Sequence, residues 1–194
     1  FDWTRADYRT IGPADQSGNY QRWLATPVAD RQPFNITTPD RRITGASPTT
    51  DGTDFYFRST QNFAADRGSY HFSNYGHKRY LTIRQTQIGF VPLMNPLEMD
   101  LLKAEAYIRL NQPAQAVPLI NKTRVARGQL PEVTVAGVSG ETCVPRKETG
   151  ACGNLMDALM YEKRLEAFGL AAGLAYFDAR GWGYLLPGTL LHFP

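Results

Sequence analysis

Two halves of the chain differ in how apolar and polar positions alternate. Up to about Gly89, aromatic residues are spread among Gly, Pro, Asp, Asn and Thr with no sustained 3.6-residue period, which predicts loops, short strands and turns. From Pro92 onward helix signals follow one another. In NPLEMDLLKAEAYIRL, Asn95 stands as N-cap, Pro96 at the first helical position and Glu98 three residues after the cap. A second helix is predicted from about Pro113 to Arg127, ended by Gly128, with Pro118 costing an internal hydrogen bond and so predicting a kink or a late start. Asn154 caps a third through about Phe168, and a fourth runs from about Ala171 to Arg180 before Gly-Trp-Gly stops it.

The third helix contains an anomaly in its apolar stripe. At about 100° per residue, Leu155, Ala158, Leu159 and Leu165 form one face, and Glu162 and Glu166 fall near its middle. Two carboxylates there could be an acid/base pair or the buried halves of ion pairs with arginine. A glycosidase pair must flank the scissile bond from opposite sides, whereas residues at i and i+4 point the same way. The spacing therefore favours ion pairing, with Arg124, Arg127 and Arg180 as the available donors on adjacent predicted helices. On the first helix, Glu98 is placed to close a capping box and Glu105 to reach Arg109 one turn on.

Composition narrows the function classes. The chain has 194 residues and a net charge of +3 with basic residues scattered among acidic ones, which gives no field for nucleic acid. No run approaches the roughly 18 to 20 apolar residues of a membrane helix. Cys143 and Cys152 lie in a turn-rich stretch, close enough to close a small loop by a disulfide; that pairing is expected over two unrelated thiols and would suit an oxidising compartment. With no neighbouring histidine the two sulfurs fall short of a zinc set.

Candidate chemistry is otherwise sparse. His71, His77 and His192 are scattered and form no metal or nucleophile signature, and Gly-Trp-Gly has the wrong order for a nucleotide loop, so no cofactor is expected. Asp51 and Asp54 lack most of the ligands of a calcium loop and read as a solvated turn. Aromatic rings on loops could stack on sugar rings while neighbouring amides and acids bond hydroxyls; Trp3, Trp23 and Tyr56 are the expected ligand contacts.

Several segments together resemble the SusD/RagB family of outer-membrane nutrient-binding lipoproteins, which work beside TonB-dependent transporters. They are PLMNPLEMDLLKAEAYIRL, INKTRVARG, and above all YEKRLEAFGLAAGLAYFDARGWG, similar to the family's Glu-Arg-x-x-Glu helix followed by an aromatic-Asp-x-Arg-x-Trp-Gly ending. TPDRRITGAS is similar to an Asp-x-Arg segment that often precedes the family's last helices. One departure stands out: two residues after Gly173 the family usually carries arginine, and this chain has Ala175.

The resemblance covers about the last 105 residues well and the first 90 loosely. It implies a mainly α fold of tetratricopeptide-like hairpins with an irregular, loop-rich layer and a few short strands. AEAYIRLNQPAQAV carries small residues at the spacing of such a hairpin, and a lone hairpin cannot bury its faces. Residues 1–91 and 92–194 are expected to form one continuous domain, a segment of a longer protein whose N-terminal region would bear the lipid anchor.

By the same resemblance the chain would sit on the outer face of the outer membrane. It would bind an oligosaccharide or peptide without turnover and pass it to a SusC-like TonB-dependent transporter. A structural or protein-interaction subunit of a cell-surface assembly is the second expectation, and a glycan hydrolase the third.

Overall fold

A computed structural model describes residues 5–60, 71–170 and 174–189. Along the chain these form β1 (Arg5–Asp7), α1 (Tyr8–Ile11), α2 (Asn19–Ala25), β2 (Phe55–Phe57), β3 (Phe72–His77), α3 (Pro96–Arg109), α4 (Pro113–Ala126), α5 (Leu155–Glu166) and α6 (Leu174–Gly181). The fold is mixed: mainly helical, with one small sheet.

α1, α3 and α5 begin where a side chain satisfies a free N–H group. Asn95 accepts from the Glu98 backbone N–H at 2.7 Å and Pro96 takes the first helical position of α3. Glu98 does not close the expected capping box; its carboxylate is buried and Oε2 has no hydrogen-bond partner. The reciprocal box occurs on α5 instead, where Asn154 accepts from Asp157 N–H at 2.9 Å and Asp157 accepts from Asn154 N–H at 2.8 Å. α4 starts at Pro113 and runs on through Pro118, so the expected late start does not occur. α6 begins within the predicted fourth helix; residues 171–173 of that prediction lie outside the described residues.

The first half is more ordered than its patterning predicts. Gly18, in the left-handed region at φ 77°, leads into the seven-residue α2, which buries Tyr20, Trp23 and Leu24. The sheet has the order β1-β3-β2 with antiparallel pairing throughout, and Gly76 at its centre faces Arg5 on one side and Tyr56 on the other. The glycine is needed for space, because a Cβ there would lie 2.3 Å from the Tyr56 ring.

α5 is the pivot of the molecule. Leu155, Ala158 and Leu159 pack with Leu101 and Ala104 of α3 and Ala116 and Ile120 of α4 in one apolar cluster. Tyr161 and Leu165 belong to a second cluster with Tyr8, Trp23, Ile43, Phe55 and Tyr75 from the loop-rich half. Nine of its twelve residues are buried, which a helix achieves only when covered on more than one face. Cys143 and Cys152 form a disulfide with a Cα–Cα distance of 5.7 Å, closing the loop that leads into α5.

Candidate functional site

Glu162 and Glu166 meet arginine, and the principal donor comes from a loop. At Asp40-Arg41-Arg42 the Arg42 side chain folds back on Asp40, with Nε 3.0 Å from Oδ1 and Nη2 2.8 Å from Oδ2. The same guanidinium reaches Glu162 through Nη1 at 2.5 Å and Nη2 at 2.9 Å, and Glu166 through Nη1 at 3.3 Å. Tyr161 donates to Asp40 at 2.6 Å and Thr123 to Glu162 at 2.7 Å. Arg127 holds Glu166 at 2.8 Å and Asp54 at 2.6 Å, while Arg124 stands 3.8 Å from Glu162.

This cluster is closed to solvent at its centre, where the side chains of Arg42, Asp40 and Glu162 are 0% exposed. Burial alone would lower the pKa of Arg42, but Glu162 and Asp40 beside it raise it well above the ordinary value, so it stays charged. Burial raises the pKa of Glu166 against the pull of Arg127 and Arg42. Burial and the Asp40 charge push the Tyr161 phenol well above its usual range. The two glutamates lie side by side on one face, buried and paired with cations.

Arg180, expected as a third donor, is exposed on α6 and enters no ion pair among the described residues. Its predicted place near α5 is taken by a different pairing. The buried Lys163 ammonium donates to Asp178 at 2.7 Å and to Glu105 at 3.2 Å. Glu105 also accepts from Arg109 at 2.7 Å and from the Trp182 indole at 3.1 Å, so one carboxylate ties α3, α5 and the end of α6 together. Burial would raise its pKa; the Arg109 hydrogen bond and the Lys163 charge lower it instead.

Of the three predicted ligand-contacting aromatics, Trp3 lies outside the described residues. Trp23 is a correction: it is 3% exposed, packed against Tyr8 at 5.1 Å between ring centroids, with the Arg31 guanidinium 4.2 Å from its ring, so it offers no face to a ligand. The 3.6-residue phase of α2 turns it inward. Tyr56 is half-buried on β2, its ring across Gly76 and its hydroxyl buried without a hydrogen-bond partner. Tyr8, stacked on Phe34 at 4.3 Å, and Tyr75 are also core residues.

The remaining candidates are separated. Asp51 accepts from Phe57 N–H at 2.8 Å and lies 3.5 Å from the Lys78 ammonium, while Asp54 accepts from Arg127. His77 stacks on Phe168 at 4.9 Å, its Nδ1 accepts from Arg79 N–H at 2.9 Å, and burial lowers its pKa to about 4. Among the described residues no group of three or more His, Cys, Asp and Glu could hold a metal ion. No described helix is long and apolar enough to cross a membrane.

A cleft of about 450 Å³ opens at the C-terminal end of α5, between α1 and α6. Its walls include Thr10, Arg164, Phe168, Tyr176, Asp178 and Trp182. Sequence reasoning read Gly-Trp-Gly as a helix stop and FDARGWG as part of a family-like ending, and did not connect its rings with Arg164. No protein family, curated protein or solved structure matches this chain.

Proposed function

We propose that the chain is part of a SusD-like protein of the bacterial outer surface. In this reading it binds an oligosaccharide or another oligomeric nutrient without turnover and delivers it to a SusC-like TonB-dependent transporter. α3 and α4, packed on each other and on α5, would be a tetratricopeptide-like hairpin. The observation that carries the reading is the contact between Asp40-Arg41-Arg42 and Glu162/Glu166. Two segments resembling the family independently, 120 residues apart, meet in one buried cluster through Arg42 and Glu162. The same contact supports a binding rather than a hydrolytic role, because both carboxylates are engaged by cations. A glycan-binding screen with the complete protein tests it: saturable binding without release of reducing sugar is expected, and turnover abolished by one acid substitution would replace it with an enzyme.

A second reading, a protein-interaction subunit of a surface assembly, is favoured by the segment before α3. Ile88, Phe90, Leu93 and Met94 are 82%, 87%, 77% and 61% exposed, more apolar surface than a seven-residue stretch ordinarily leaves in water. Copurification of a stable protein partner in the absence of any glycan binding would favour this reading.

A further inference from the structure

We infer that the cleft at the end of α5 binds an acidic sugar, a uronate unit of an oligosaccharide, with Arg164 receiving the carboxylate; this rests on the nutrient-binding reading above. The volume of about 450 Å³ lies within the range of small-ligand pockets. Its charged walls are not equivalent. Asp7 is held by Arg9 at 2.5 Å, and Lys163 is held by Asp178 and Glu105. Arg164 enters no ion pair among the described residues; its Nη1 donates to the Arg9 carbonyl at 3.3 Å. Its guanidinium lies 5.4 Å from the Trp182 ring and 4.9 Å from the Tyr184 ring, which fixes it in place without neutralising it.

A guanidinium with no ion-pair contact in a largely apolar cleft favours an anion, and its fork of N–H donors suits a carboxylate. The rest of the lining selects a sugar over an aliphatic acid. Tyr176 is 54% exposed on the wall and offers a ring face for the apolar side of a pyranose. Thr10 from α1 and Asp178 from α6 line the cleft as partners for hydroxyls, which a hydrocarbon chain would leave unmatched.

The test is titration calorimetry of the complete protein with galacturonic-acid oligomers and with a panel of neutral oligosaccharides. Acidic oligomers are expected to bind more tightly and to weaken as salt is raised. Arg164→Gln should reduce their affinity about tenfold or more, Arg164→Lys should retain part of it, and Tyr176→Ala should weaken binding while leaving its salt dependence. Circular dichroism confirms that each variant is folded; should Arg164→Gln not fold, Arg164→Lys and Tyr176→Ala carry the test. Neutral oligosaccharides binding as well as acidic ones, unaffected by these substitutions, would overturn the cleft assignment and leave the nutrient reading standing. Absence of binding to any oligosaccharide would overturn both.

Discussion

Arg42 and Glu162, 120 residues apart in sequence, form a two-pronged ion pair with Nη1 2.5 Å from Oε2 and Nη2 2.9 Å from Oε1, both side chains fully buried. The pair joins the loop-rich half to α5 at a point where neither charge has access to water. Replacing such a pair by apolar groups can be neutral, but removing one partner strands the other and costs about 3 to 5 kcal/mol. Arg42→Met takes the principal cation from both Asp40 and Glu162, leaving Glu166 to Arg127, whereas Glu162→Gln leaves Arg42 still paired with Asp40 and Glu166. Arg42→Met is therefore expected to be the more destabilising of the two in urea unfolding. Equal, small losses would mean that the cluster is wetter than its geometry implies.

The inward position of Glu162 and Glu166 was readable because a helix converts spacing into direction, and α5 keeps that period over three turns. Their main donor was not. Arg42 lies in a turn with no period, and a loop brings residues together by its tertiary course, which local patterning does not encode. The Asp-x-Arg spacing was the one available signal, since Asp40 pre-folds the guanidinium that α5 then meets. Trp23 misled for the opposite reason: a seven-residue helix is too short to announce its buried face among turn residues. Arg180 follows Asp178 by two residues, about 200° around α6, so with Asp178 turned to Lys163 of α5 the arginine lies on the exposed side.

Gly52 is the second point at which the Arg42 turn is fixed. The backbone N–H groups of Thr53 and Asp54 bond to the carbonyls of Arg41 and Arg42 at 2.9 and 3.0 Å, drawing the two segments together. A Cβ on Gly52 would lie 2.3 Å from the Arg42 carbonyl oxygen and 2.5 Å from the Ile43 carbonyl carbon. Backbone atoms held by these bonds cannot rotate aside, so Gly52→Ala is expected to cost about 1 to 3 kcal/mol or more. It should also displace Arg42, making Gly52→Ala and Arg42→Met less than additive in a double-mutant cycle. Full additivity would show that the close approach does not position the arginine.

The Cys143–Cys152 bridge closes a short loop directly before the α5 cap, with a sequence separation of 9. Restricting the unfolded chain over a loop of this length stabilises by about 2 to 3 kcal/mol in the chain-entropy account. Cys143→Ser with Cys152→Ser, or reduction by dithiothreitol, is expected to lower the melting temperature with the helical circular-dichroism signal retained. Cys143 sits in the same apolar cluster as Leu155 and Leu159, so the loss should exceed that caused by cutting the bridge alone if the serine hydroxyl is left buried there. An unchanged melting temperature after complete reduction would contradict the assigned contribution.

His77 should make the fold sensitive to mild acid. Burial lowers its pKa to about 4, with Arg79 adding to the effect and Asp54 opposing it; the unfolded residue titrates near about 6.5. Between these values the unfolded chain binds more protons than the folded one, so stability falls as pH drops from about 6.5 towards 4, with a slope of at most about 1.4 kcal/mol per pH unit from this residue. Glu166 acts in the opposite sense, since its raised folded pKa makes the folded state the better proton binder. Comparing the unfolding free energy of the natural protein with that of His77→Gln from pH 7 to pH 4 isolates the histidine, because Glu166 is common to both. The natural protein should lose more stability over that interval than the variant. Parallel profiles would show that His77 meets water in the folded state and that its stacking on Phe168 does not exclude the imidazolium.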